Sequence, residues 1–503
     1  MNLGELFEGL PGGELGANAG LEATSLAYDS RRAQPGTLFF AIQGAHSDGH
    51  DFIAAAMERG AVGVVSERVA PAGPAGLASR WVRVPVIRRA LSRASRAFYG
   101  HPEDRLRLVG ITGTNGKTTT AYLLESIFRA AGMPAGVFGT IEYRVAGRVK
   151  PAVNTTPESL DLARDLAEIT EAGGKVAVME VSSHALTQER VWGFRFWAAV
   201  FTNLTRDHLD YHKDFESYFE AKRRLFVGLG TPPPELAVVN LDDPWGARLA
   251  ALPYHRLITY GIKSDAQVKV KHFTQSAAGL SATVLSPEGS AEIHSPLLGR
   301  ANLENVLAAT ATALGMGIPA EQIQQGIAEL PLVPGRFERV DEGQPFLVVV
   351  DYAHTDDALR NVLTAARELT QNRLIVVFGC GGDRDRAKRP LMGEAASAGS
   401  DLAVLTSDNP RSENPIDIMN DALVGVQKTG KPHLIEIERG AAIRKALEEA
   451  REGDVVVIAG KGHETYQVLK DGRVPFDDRE VARNILNEMG FRKAENKTAG
   501  DRG

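Results

Sequence analysis

Apolar runs of strand length alternate along this chain with amphipathic stretches of helix length, and Gly and Pro punctuate the joins densely. "LRLVGIT", "KVAVME", "AAVFTN", "FLVVVD", "LIVVFG" and "DVVVIAG" are the clearest apolar runs. Such alternation predicts βαβ units and mainly parallel sheets. Two breaks interrupt it. At "FYGHPEDRLRL" a helical pattern ends and polar residues precede a new strand, and "LPLVPGRFERV" is a Pro/Gly-containing connector. They divide the chain into 1–102, 103–331 and 332–503. Within the middle segment "QVKVKHF", "GLSATVL" and "AEIHSPL" read as short antiparallel strands inserted into the α/β region. A polar tail, "RKAENKTAGDRG", closes the sequence.

At 503 residues the chain exceeds one hydrophobic core. Its 43% hydrophobic and 24% charged content is ordinary for a globular protein. A formal charge of -6 gives no reason to expect nucleic acid or an anionic membrane as partner. The acidic start "MNLGELFEGL" is unlike a signal peptide, and no apolar run is long enough for a membrane span. The single cysteine, Cys380, excludes an internal disulfide and fits a reducing compartment. These features predict a cytoplasmic α/β protein, expected to act as a monomer.

The most informative stretch is "LRLVGITGTNGKTTTAYLLESIFRAAG". A strand leads into Gly113, Thr114, Asn115, Gly116, Lys117, Thr118 and Thr119, and a helix follows. A glycine loop entering a helix N-terminus aims backbone N–H groups and the positive dipole end at an anion. Lys117 would reach the terminal phosphates of ATP, and the Thr118 hydroxyl would bind Mg²⁺. The strict phosphate-loop motif has a glycine where this chain has Ile111, so Gly113 makes this a variant loop.

Two further strands end in candidate ligands. Glu180 closes "KVAVME", and Asp207 and His208 follow "AAVFTNLT". Singly, these would be a surface carboxylate and a capping histidine. Past the carboxyl ends of strands in a phosphate-loop domain, Glu180 and His208 instead reach the crevice where Mg²⁺ sits. The loop "TSDNPRSENP" poses a different question. Turn chemistry accounts for its Asn, Asp and Pro, but not for an Arg set behind a proline at a strand end.

The spelling "GTNGKTT" resembles the ATP loop of the Mur ligase family and the related folylpolyglutamate synthases, which join an ATP-activated carboxylate to an amine. At least seven ordered motifs carry the resemblance over nearly the whole chain. It implies a three-domain α/β architecture: a smaller N-terminal α/β domain, a central phosphate-loop domain with a doubly wound, mainly parallel sheet, and a C-terminal Rossmann-like domain. Glu180 and His208 match the family's magnesium ligands. Lys222, on "YFEAKRRLF", would otherwise be solvated helix charge, but it matches a lysine carbamylated in the family and able to help bind a second Mg²⁺. Asn302, Arg336 and Asp351 would approach the nucleotide.

The same resemblance assigns the acceptor. "NTTP" and "SSHALTQER" match residues that hold sugar and peptide, here Asn154, Thr155, Thr156, Ser182, Gln188 and Arg190, with Arg190 suited to a carboxylate. The N-terminal "DSR…PG" pattern suggests Tyr28, Ser30, Ala45, His46 and Ser47 as uridine contacts. "PGRFERV" and "DYAHTDDALRNVL" match a second signature, with Asp356 where members often have Pro. Asp356 is read as an exposed helix start.

For the incoming amine, Arg384, the "DNPR" residues Asp408, Asn409, Pro410 and Arg411, and Gly460 and Glu464 of "GKGHE" leave strands at one edge. Two arginines, an Asp and a Glu describe a pocket for a molecule carrying both carboxylates and ammonium groups. Lysine has only the ammonium at its far end, so a lysine site should not need Arg411. Family members with D-N-P-R here use meso-diaminopimelate. The implied reaction adds that amino acid to the D-glutamate of a UDP-muramoyl dipeptide through an acyl phosphate, in peptidoglycan precursor synthesis. The alternatives are a lysine-adding ligase and folylpolyglutamate synthase, against which the N-terminal "DSR" and "DNPR" argue. A D-alanyl-D-alanine-adding ligase should not need an anion-binding Arg in this loop. A phosphate-loop switch or motor would need a partner-coupled switch segment.

Overall fold

The computed structural model describes residues 1–10, 19–44, 47–70, 78–276 and 278–492. Ala45, His46 and the tail beyond residue 492 lie outside these. Among the described residues three large sheets follow one another along the chain, with a two-stranded hairpin, Tyr466–Leu469 and Gly472–Pro475, beside the last. The first is fully parallel, in the order β1 (Ser25–Ala27), β2 (Thr37–Phe40), β3 (Gly63–Ser66), β4 (Trp81–Arg83). The helix Ile87–Phe98 packs beside it, burying Leu91 and Ala94.

The central sheet is built on β5 (Arg107–Thr112), β6 (Ala135–Phe138), β7 (Glu142–Val145), β8 (Arg148–Pro151), β9 (Val176–Glu180), β10 (Ala198–Phe201), β11 (Leu236–Asn240), β12 (Arg256–Gly261), β13 (Val268–Ser276), β14 (Gly279–Ser286) and β15 (Gly289–Ser295). Its spatial order is β15-β14-β13-β12-β11-β10-β5-β9-β6-β7-β8, parallel from β13 to β6. Strand periodicity assigns alternate residues to opposite faces. Val109, Ile111, Val178 and Val200 enter one core, whereas Leu108, Ala177, Met179 and Ala199 enter the other. Both faces are covered, which is why these strands are apolar throughout. The three expected antiparallel strands exist, but they form no separate insert. β13 pairs parallel with β12, and β14 and β15 continue the same sheet antiparallel.

The C-terminal sheet has the order β16 (Glu338–Val340), β17 (Leu347–Asp351), β21 (Val455–Ala459), β18 (Leu374–Phe378), β19 (Leu402–Leu405), β20 (His433–Ile435). Only β16 runs antiparallel. Again Val349, Val376 and Val457 face one core and Val350, Ile375 and Val456 the other. Among the described residues no helix is long and apolar enough to cross a membrane.

Asp356 departs from its sequence reading. It opens the helix Asp356–Leu369, where Thr355 caps the Ala358 amide, but it is half-buried, and its Oδ1 is enclosed without a hydrogen-bond partner.

Candidate functional site

In a doubly wound sheet the chain leaves neighbouring strands in opposite directions at a switch point, opening a crevice at their carboxyl ends. Here β5 lies between β9 and β10, so the glycine loop, Glu180 and the segment after Phe201 converge. Two glycines allow the loop to pack. Gly113 has φ 152°, and a Cβ there would lie 1.8 Å from Thr202 Oγ1. Gly116 has φ 90°, and its Cβ would meet Asn305 Oδ1 at 2.3 Å. Any side chain would therefore displace the loop.

Of the residues predicted for ATP and metal, all but Gly113 and Lys222 line one cavity. Lys117 folds back, its Nζ donating to the carbonyls of Gly113 at 3.0 Å and Thr114 at 2.8 Å. Burial pushes its ammonium below the ordinary lysine range. Glu180 is 1% exposed and accepts from the Thr140 amide and hydroxyl at 2.9 and 3.0 Å. His208 takes a left-handed φ of 54°, with Nε2 3.4 Å from Asp207. Burial drives its imidazole down to about 3, against the pull of Asp207. Burial pushes the Asp207 carboxyl up, but its basic neighbours His208, His354 and Lys388 outweigh it and hold the group below the carboxylate range.

Lys222 is elsewhere. It lies behind the loop, donating to the Gly113 carbonyl at 2.8 Å with the Tyr218 ring 4.5 Å away. Burial, and then Lys117, push its amine well below the usual lysine value. The solvated helix face expected of "AKRR" is buried at this position, because the helix Phe215–Val227 lays Ala221 and Lys222 against the sheet.

The C-terminal domain closes this cavity. Arg336 Nη2 donates to Thr118 Oγ1 at 3.2 Å, with its guanidinium 4.5 Å from the Tyr352 ring centre. Asn115 Nδ2 donates to Asp357 at 3.1 Å, and Lys388 lies 3.5 Å from Asp207. Asp351 accepts from the Phe337 and Ala353 amides at 2.7 and 2.8 Å, so it shapes its own turn while facing the cavity; burial pushes its carboxyl up. Asn302 donates to the Leu298 carbonyl and accepts from Asn305.

The acceptor residues divide. Thr155 and Ser182 line the cavity. Thr156 does not: it is fully buried, donating to the Glu180 carbonyl at 2.9 Å and accepting from the Ser182 amide at 3.0 Å. Arg190 already holds protein acceptors: Gln188 at 2.8 Å, the Thr156 carbonyl at 3.1 Å and Glu158 at 3.1 Å. Asn154 exchanges backbone hydrogen bonds with the Tyr143 hydroxyl. In the N-terminal domain Tyr28 donates to Asp161 at 2.5 Å, Ser30 is buried in a 3₁₀ turn, and Ser47 is exposed. None of these three lines the cavity beside the glycine loop.

A second cavity adjoins the first at the carboxyl ends of β18, β19 and β21. Arg384, Asp408, Asn409, Arg411, Gly460 and Glu464 line it. Pro410 does not; it is buried, and its carbonyl accepts from the Glu413 amide. Arg411 has φ 54°, with its amide bonded to the Val468 carbonyl at 3.0 Å and Nη1 to the Gly382 carbonyl at 2.7 Å. Burial and then the like charge of Arg384 hold its guanidinium below the ordinary value, so an anionic ligand would relieve both. Opposite, the fully buried Lys461 joins Glu464 at 2.9 Å and Asn409 at 3.2 Å, and Asn409 also donates to Glu464 at 2.9 Å. Arginines and carboxylates thus stand in one recess, as a zwitterionic amino acid requires.

Several lining residues were not predicted as site members: Thr140, Asn305, Tyr352, His354 and Lys388. Asn305 carried a signal, since it shares a helix face with Asn302 three residues earlier. Tyr352 and His354 lie within the quoted "DYAH". Lys388 has no local signature, because its relation to Asp207 spans two domains.

Residues 111–313 match the Mur ligase middle domain, 335–462 the Mur ligase glutamate ligase domain, and 22–99 the Mur ligase family catalytic domain. The chain is 56% identical over 497 residues to a UDP-N-acetylmuramoyl-L-alanyl-D-glutamate--2,6-diaminopimelate ligase of Solibacter usitatus, covering 98% of this chain and 100% of that one. A solved ligase of the same name aligns with a TM-score of 0.68 at 33% identity, covering 97% and 99%. A MurF ligase of Thermotoga maritima in complex with ADP shares the fold at a TM-score of 0.63 and 18% identity, covering 93% and 99%.

Proposed function

The chain belongs to the Mur ligase family, and from that premise we propose that it joins meso-diaminopimelate to the D-glutamate γ-carboxylate of UDP-N-acetylmuramoyl-L-alanyl-D-glutamate, releasing ADP and phosphate. The observation that carries this reading is the adjacency of two unlike cavities. One is walled by a glycine phosphate loop, the other by paired arginines and carboxylates, and they share residues.

In the first step the loop amides and Lys117 hold the ATP phosphates and stabilise charge as the γ-phosphoryl group passes to the carboxylate. Arg336, already bonded to Thr118, would follow that charge. Glu180, His208 and Thr118 suit a hard cation: a buried carboxylate, an uncharged imidazole and a hydroxyl face one cavity. These residues would hold Mg²⁺, which would supply neutralisation of phosphate charge. Lys222, enclosed and with its amine pushed well below the usual lysine value by burial, fits the amine from which a carbamate would form. The closed domain contacts exclude water from the acyl phosphate. The amine then attacks from the second cavity, whose Arg411 and Arg384 would grip the distal carboxylate of meso-diaminopimelate while Asp408 and Glu464 hold its ammonium.

We assign residues 1–102 to uridine binding, 103–331 to ATP and 332–503 to the amino acid, with the chain working as a cytoplasmic monomer. The deciding experiment measures ADP release with the muramoyl dipeptide nucleotide and either meso-diaminopimelate or lysine. Turnover with the former is expected; strong turnover with lysine alone would overturn the specificity.

A further inference from the structure

The two cavities meet at a shared wall of Asp207, His208, Tyr352 and His354. If the nucleotide and the amino acid occupy them as set out above, the attacking nitrogen crosses at this wall. The nitrogen must lose a proton there. His208 and Asp207 are engaged with each other, and Asp207 also with Lys388. Tyr352 lies under Arg336, and burial keeps its phenol protonated.

His354 is different. Its Nδ1 lies 2.8 Å from the Tyr352 carbonyl oxygen. A carbonyl only accepts, so Nδ1 carries the hydrogen and Nε2 keeps its lone pair. The ring rests 4.6 Å from the Tyr352 ring, which fixes its orientation. No hydrogen bond to Nε2 is formed among the described residues, and His354 lines both cavities.

We propose that His354 is the general base of the amide-forming step, accepting at Nε2 the proton released by the attacking amine. The ammonium first gives one proton to water; the amine lone pair then forms the N–C bond and the carbonyl π electrons move to oxygen. Once bonded to carbon, the nitrogen becomes strongly acidic and its proton passes to Nε2. Collapse of the tetrahedral intermediate breaks the C–O bond to phosphate, and the imidazolium returns its proton to the departing phosphate or to water. The charged groups facing the ring are Asp207, Lys388 and Arg336, and the titratable imidazole of His463 neighbours it. Asp207 favours the imidazolium and Lys388 and Arg336 oppose it, so the proton is held only transiently.

The proposal rests on the ligase reading, and the test separates the two. His354→Gln is assayed with ATP and the muramoyl dipeptide nucleotide, using either meso-diaminopimelate or hydroxylamine as nucleophile. Hydroxylamine is uncharged near neutral pH, and the nitrogen of its adduct is acidic enough to lose its proton directly to water, so it captures an acyl phosphate without a base. The variant should lose about 10²- to 10⁴-fold in amide formation, the usual contribution of general base catalysis, yet form hydroxamate at the wild-type rate. Added imidazole should restore part of the amide formation in His354→Ala. Equal loss with both nucleophiles, or an unchanged rate with meso-diaminopimelate, would overturn the role of His354. Failure of the wild-type protein to form any hydroxamate would instead overturn the ligase reading.

Discussion

Lys222 donates from Nζ to the Gly113 carbonyl across 2.8 Å while its side chain is 1% exposed, so an amine sits directly beneath the phosphate loop with no carboxylate bonded to it. A buried ammonium without a counter-ion is costly and reverts to the neutral amine. That amine is the form that reacts with carbon dioxide. Lys222→Ala is expected to abolish ligase activity, and small carboxylates such as acetate to restore part of it by standing in for the carbamate. Steady-state ADP release with and without acetate checks this, and an active Lys222→Ala enzyme would discard the idea.

Arg411 is held by backbone acceptors and faces Arg384 across the second cavity. Truncating a partly buried guanidinium that grips a carboxylate costs on the order of 2 kcal/mol or more, roughly 30-fold. Arg411→Ala should therefore raise KM for meso-diaminopimelate by at least that factor and leave KM for ATP nearly unchanged. Arg411→Lys keeps the charge but loses the planar fork, and should restore only part of the affinity. Equal effects on both substrates would return the loop to a structural role.

Arg439 and Asp478 form an enclosed pair, with Nε–Oδ1 and Nη2–Oδ2 both 2.7 Å, and Arg439 also donates to the Ala459 carbonyl at 3.0 Å beside Gly460. Removing one partner strands the other charge. Asp478→Ala should lower stability by about 3–5 kcal/mol, whereas the double replacement Arg439→Met with Asp478→Leu should cost much less. Urea midpoints of the three proteins decide this; similar losses in the single and double variants would refute it.

His212 is buried, with Nε2 2.9 Å from Ser183 Oγ, and burial above all lowers its pKa from 6.5 to about 4. Between those values the unfolded chain binds a proton that the folded chain refuses. Stability therefore rises with pH across this window and is lost as pH falls from 6.5 towards 4. Denaturant midpoints measured over that range should decline on acidification, and His212→Gln should flatten the decline. A parallel decline in the variant would assign it to other groups.

Much of this was legible in the chain. "LRLVGITGTNGKT" contains both the strand and the glycines its loop demands, because a phosphate cradle is a local backbone geometry. "TSDNPR" announced an arginine without a structural purpose. Other relations were not legible there. The side chains of Thr156 and Arg190 hydrogen-bond to Glu180, Ser182, Gln188 and Glu158, partners that no local pattern records. Asp356 read as an exposed helix start, but tertiary packing encloses its Oδ1 without a hydrogen-bond partner.

By itself the sequence determined the strands and the glycine loop, since each depends on residues close together in the chain, and it supplied the arginines and carboxylates that line the second cavity. Tertiary structure alone decided that Lys222 lies beneath the loop, that Lys388 meets Asp207, and that Asp207 and His354 share one wall between two cavities. Those relationships arise where separately folded sheets present their carboxyl ends to each other, and no spacing along the chain encodes that meeting.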